Sequence, residues 1–111
     1  MANPSIKRLT GPKAFAVAAA NIYNQASALV YDIIKHIHVV NTTGGAQVFT
    51  LFQSQTTGTE TAGMELFVSH SVAANSEFDY YCNLKQTSAD FIVGHAPITM
   101  TITIEGETYA V

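Results

Sequence analysis

The chain has no tryptophan, a single cysteine and few charges, and each scarcity removes a class of protein. With Cys82 alone, no intrachain disulfide can form, which excludes a disulfide-stapled secreted scaffold. Charged residues make up 12 % of the 111 positions, about half the usual share for a soluble domain. So little charge leaves a surface built from Thr, Ser, Asn and Gln, or one covered by another subunit. The second alternative is preferred, which predicts a protein that lives in an assembly.

Positive charge is also thin. Lys7, Arg8, Lys13, Lys35 and Lys85 are scattered and the net charge is −3. Binding a phosphate backbone requires a basic stripe, and only Lys7-Arg8 with Lys13 comes near one. Direct nucleic-acid binding is therefore disfavoured, and Lys7 and Arg8 are read as a solvated terminus or a contact with an acidic partner. No apolar run is long enough to cross a membrane: residues 14–40 are interrupted by Asn21, Asn24, Gln25, Asp32, Lys35 and two histidines. The opening Met-Ala-Asn-Pro-Ser-Ile-Lys-Arg lacks an apolar leader core, so folding in a cytoplasm is expected.

What is present is alternation. Ile98-Thr-Met-Thr-Ile-Thr-Ile104 places Ile98, Met100, Ile102 and Ile104 on one side and Thr99, Thr101 and Thr103 on the other, because side chains on a strand change face at each residue. The same grammar recurs over residues 29–40, 47–55, 64–71 and 77–84, with breaks rich in Gly, Asn, Thr and Ser. In 29–40, Tyr31, Ile33, Lys35, Ile37 and Val39 are expected on one face, opposite His36 and His38. Asn41-Thr-Thr-Gly-Gly45 reads as a hairpin turn, and Glu105-Gly106 as a second turn that folds 107–111 back as a last strand. Residues 5–10 form a first strand ended by Gly11-Pro12, and 13–20 is read as extended in preference to a short helix. Residues 54–63 read as an exposed, mobile loop.

Seven to nine short strands with turns about every ten residues indicate an all-β chain, an antiparallel β-sandwich of jelly-roll-like type. Residues 29–111 form the sandwich, and 1–28 an extended N-terminal arm or first strands that contact a partner.

Chemistry is sparse. His36 and His38 have the His-x-His spacing of two metal ligands on one strand face, as in cupins, but the Glu expected shortly downstream is missing. They remain weak metal candidates, with half-buried, hydrogen-bonded histidines as the plain alternative. There is no Gly-x-Ser-x-Gly elbow and no phosphate-binding Gly loop. The acidic residues are read as solvated charges on outer faces, turns and loops. Cys82 shares an apolar face with Phe78 and Tyr80 and is read as a small buried hydrophobe. Tyr81, its neighbour's ring turned inward, is left outside beside Asp79 as a candidate interface anchor. No enzyme activity and no cofactor is expected.

Three segments carry a resemblance: Arg8-Leu-Thr-Gly-Pro12, Ile34-Lys-His-Ile-His-Val-Val-Asn-Thr-Thr-Gly44 and Ile102-Thr-Ile-Glu-Gly-Glu-Thr-Tyr109. The chain resembles the small β-sandwich structural proteins of tailed bacteriophages, in which an R-x-I-H-x-x-N-x-x-G strand-turn and a T-I-x-G-x-x-Y hairpin recur; Lys35 stands where those proteins often carry Arg. The resemblance implies a non-enzymatic virion protein, assembled in the host cytoplasm. Its sharper form is a head decoration (cement) protein, a homo-oligomer (trimer) on a major capsid protein. A tail or head–tail connector subunit, or a free carbohydrate-binding sandwich, are the alternatives. Thr99, Thr101 and Thr103 make a flat uncharged face where an interface is expected first.

Overall fold

The computed structural model describes residues 6–111. It contains eight strands: β1 Lys7–Ala14, β2 Ala20–Asn24, β3 Val30–Asn41, β4 Gln47–Ser54, β5 Glu65–Val72, β6 Ser76–Gln86, β7 Phe91–His95 and β8 Met100–Ala110. No helix occurs among the described residues. The strands form two four-stranded antiparallel sheets, ordered β1-β8-β3-β6 and β2-β7-β4-β5. Every connection except β4–β5 changes sheet, which rolls successive strand pairs across the sandwich as in a jelly roll.

The core lies between the sheets. Ile34, Ile37, Val39, Met100, Ile102 and Ile104 from the first sheet meet Phe49, Leu51 and Ile92 from the second. Burying each of these side chains contributes about 1.5–3 kcal/mol, so the alternation of β8 is what anchors it between β1 and β3. Residues 6–28 supply first strands: β1 and β2 form one edge of each sheet, and Phe15 and Ile22 are buried in the core. Residues 1–5 lie outside the described residues.

Several local expectations are corrected. Asn41–Gly45 does not make a hairpin, because β3 and β4 belong to different sheets. Asn41 is wholly buried; its amide nitrogen donates to the carbonyls of Gly45, Val72 and Ala73, and its oxygen accepts from Thr43 N and Oγ1. One side chain thereby ties the β3–β4 and β5–β6 crossings together. Glu105-Gly106 is no turn either. Strand β8 runs straight through, and a Cβ on Gly106 would lie 2.2 Å from the Ile33 carbonyl oxygen, so glycine here permits close strand approach. Gly11-Pro12 does not end β1. Gly11 takes a φ of +91°, and the strand shifts register against β8 and continues to Ala14. Ile98 sits in the turn before β8 and is 65 % exposed, not inside. The 54–63 loop stays at the surface, where Asn21 Oδ1 accepts from Gly58 N at 2.7 Å and Glu60 meets His95 at 2.6 Å.

A bulge decides the faces of β3. Ile34 pairs with Gly106 and Leu84, whereas Ile37 pairs with Ile104 and Tyr80. Two residues, Lys35 and His36, therefore oppose the single Glu105 on β8. The extra residue reverses the alternation at that point. Asp32 and Ile34 below it, and Ile37, Val39 and Asn41 above it, are all buried. The strict alternation expected for 29–40 would have put Ile34 and Ile37 on opposite faces.

Candidate functional site

The bulge also aligns the outward residues of the first sheet into rows. Across four neighbouring strands the register runs Arg8, Glu105, His36, Tyr81; the next row runs Thr103, His38, Asp79; the next Thr101, Val40, Glu77. Residues directly opposite one another on a sheet share a face. Most of the residues singled out from sequence thus gather on one outer surface. Arg8 lies at its exposed edge beside Lys7, Tyr81 stands 73 % exposed, and Thr101 and Thr103 are half-buried in it. Thr99 is not on this face; it lies in the turn before β8.

At the centre, two histidines converge on one carboxylate oxygen. His36 Nε2 is 2.7 Å and His38 Nδ1 2.6 Å from Asp79 Oδ1. His36 Nδ1 is 2.9 Å from Glu105 Oε1, and His38 Nε2 is 3.7 Å from Glu77 Oε2. The His36 ring stacks on Tyr81 at 4.4 Å and 5° between planes. The Thr stripe is therefore not an uncharged face of its own but the border of a histidine–carboxylate cluster.

The electrostatics follow from these contacts. Burial pulls His36 down, but its hydrogen bonds to Glu105 and Asp79 and their negative charges outweigh it, and the imidazole is raised above its ordinary value. Asp79 is lowered chiefly by hydrogen bonds from His38 and His36. Each partner favours the charged form of the other. In chemical terms, the ligating atoms of His36, His38 and Asp79 all lie within 4.8 Å of one another. The carboxylates that His-x-His lacks downstream arrive laterally, from β6 and β8.

Asp79, Glu77 and Glu105 were the residues sequence reasoning set aside as solvated charges. The signal was half present: Glu77, Asp79 and Tyr81 alternate outward on one strand, as His36 and His38 do on another. Which strands are neighbours is not written in either.

The remaining reactive groups are accounted for by packing. His70 lies in an aromatic cluster with Phe49, Phe67 and Phe78, its ring centroid 4.2 Å from that of Phe78. His95 pairs with Glu60 at 2.6 Å. Cys82 is half-buried and donates to the Ile34 carbonyl at 3.3 Å; burial pushes its thiol up, away from thiolate chemistry. Below the surface Asp32 is fully buried, yet accepts from Tyr23, Gln25 and Thr108, so its oxygens are satisfied. Against this fold and site, no family model, no curated protein and no solved structure matches the chain.

Proposed function

We propose that this chain is a non-enzymatic structural subunit of a virion, and in its finer form a decoration protein that binds the outer head of a tailed bacteriophage and stabilises it. The observation that carries the reading is the gathering of Arg8, Tyr81, Thr101 and Thr103 on one broad sheet face of a charge-poor jelly roll. A sheet face with an exposed aromatic anchor, flanked by threonines and by a histidine–carboxylate cluster, suits docking on another protein. Jelly rolls serve capsids as well as lectins and cupins, so the fold is compatible with the reading without selecting it.

The test is co-sedimentation of the purified protein with undecorated heads, and separately with tails, of the phage that encodes it. Binding to heads with a raised head-disruption temperature is expected, and Tyr81→Ser combined with Thr103→Glu should weaken it at least tenfold. Binding to tails alone would move the assignment to a tail or connector subunit. Binding to neither would overturn it. Removing residues 1–20 is not a clean probe of partner contact, since it would strip the edge strand β1 and the core residue Phe15 as well.

A further inference from the structure

The His36–Asp79 contact poses a proton-accounting problem. A neutral imidazole carries one N–H, yet both nitrogens of His36 lie within 3 Å of carboxylate oxygens, Nδ1 on Glu105 and Nε2 on Asp79. If Nδ1–H donates to Glu105, the Nε2 lone pair faces the Asp79 oxygen, and something positive must stand between them. An extra proton is one solution. A divalent cation is the other, and the third ligand is already present in His38 Nδ1, 2.6 Å from the same oxygen.

We propose that His36 Nε2, His38 Nδ1 and the Asp79 carboxylate form a Zn²⁺ site on the outer face of the first sheet, with a fourth position open to solvent. Four features support it together. The donor set of two imidazoles and one carboxylate suits zinc, whereas Mg²⁺ and Ca²⁺ favour all-oxygen shells. Glu105 holds the far nitrogen of His36, the carboxylate–histidine arrangement that orients a ligating ring and fixes its tautomer. Tyr81 stacked on the same ring restricts its rotation. The three ligands stand on paired strands, His38 directly opposite Asp79, so their spacing is set by backbone hydrogen bonds and not by a loop.

The surrounding charge is favourable to a dication, with Asp79, Glu105 and Glu77 all within 4 Å of a histidine nitrogen. Zinc bonds of about 2.0–2.1 Å in a tetrahedron place ligand atoms about 3.3 Å apart. The nitrogens therefore need to retreat from the Asp79 oxygen by about 0.6–0.7 Å, and the two histidine nitrogens, within 4.8 Å, to settle near the same tetrahedral spacing, which a partly exposed carboxylate on an edge strand accommodates. The site lies on the same sheet face as the docking surface proposed above, but it needs no partner chain to supply a ligand.

The experiment is titration of the chelator-treated full chain with Zn²⁺ by calorimetry, and with Co²⁺ by visible spectroscopy. One equivalent per chain is expected, with the intense ligand-field bands of a tetrahedral nitrogen–oxygen site. His38→Ala and Asp79→Asn should each weaken Zn²⁺ binding at least tenfold, and Glu105→Gln by about 10–100-fold as an orienting partner. His95→Ala, which removes the other histidine–carboxylate pair, should leave it unchanged. Histidine side-chain ¹⁵N spectra of the unmutated protein should show Zn²⁺ shifting Nε2 of His36 and Nδ1 of His38, a readout that needs no variant to fold. Uptake only at millimolar metal, uptake that survives His38→Ala with Asp79→Asn, or shifts confined to His70 and His95 would each overturn the assignment.

Discussion

Asn41→Ala tests the connection that makes this sandwich a roll. The side chain is fully buried between two sheet-crossing segments, with its amide nitrogen 2.9 Å from Gly45 O, 3.1 Å from Val72 O and 3.1 Å from Ala73 O. Its oxygen accepts from Thr43 N at 3.0 Å and Thr43 Oγ1 at 2.7 Å. Not every lost bond counts. Gly45 and Ala73 are exposed, so water can take their carbonyls, and Thr43 Oγ1 keeps Gly45 O at 2.8 Å. The Val72 carbonyl, on a buried residue, and the part-buried Thr43 N–H lose their Asn41 partner, at about 1–2 kcal/mol each, for a total of about 3 kcal/mol. With an unfolding entropy of about 0.23 kcal/mol/K for a chain of this length, Tm falls by about 13 °C. Calorimetry gives the shift, and urea unfolding should give a lower midpoint at unchanged slope. Thr42→Ala, in the same turn but exposed, is the control. A loss within about 0.5 kcal/mol of the parent, or an equal loss at Thr42, would refute the reasoning.

Three further outcomes follow from the same structure. A Cβ on Gly94 would stand 2.2 Å from the Thr50 carbonyl oxygen and 2.8 Å from Leu51 Cδ2, whereas one on Gly44 meets nothing within 4 Å. Gly94→Ala should lose about 3 kcal/mol or more, and Gly44→Ala should stay within about 0.5 kcal/mol by urea unfolding. Ile102→Ala should cost about 2–5 kcal/mol, and Ile98→Ser within about 0.5 kcal/mol; similar losses at both would return Ile98 to the core. Burial first, then the hydrogen bond to Asp32 and its charge, raise the Tyr23 phenol above its ordinary 10.0. The native state holds that proton to higher pH than the unfolded state. The associated stability is complete below the unfolded value near 10 and is lost as pH rises through the raised native value. Tyr23→Phe should flatten this alkaline loss in pH-dependent unfolding, and an unchanged slope would remove Tyr23 as its source.

The existence of strands β3, β4, β5, β6 and β8 was legible because alternation is a local property, fixed by the geometry of consecutive residues, although in β4 the four residues Phe49, Thr50, Leu51 and Phe52 are all buried. So were the sharing of one face by His36 and His38, the outward positions of Tyr81, Thr101 and Thr103, and the inward ones of Met100, Ile102 and Ile104. Where the sequence misled, a single backbone feature intervened. The bulge at Lys35–His36 reversed the alternation of β3, Gly106 allowed strand contact in place of a turn, and the chain after Asn41 crosses to the other sheet. A local reading has no access to these, since each is settled by what lies on the neighbouring strand.

The histidine–carboxylate cluster shows the same division. Composition and spacing determined that two histidines share one face, that acidic residues alternate outward elsewhere, and that the chain folds as antiparallel β structure with little charge to cover it. Only the tertiary structure decided that β6 and β8 flank β3, which puts Asp79 opposite His38 and Glu105 opposite His36. The physical reason is that sheet order is set by burial of the whole core. Residues 43 and 69 positions apart in sequence become hydrogen-bonding distance neighbours only when every strand has found its place.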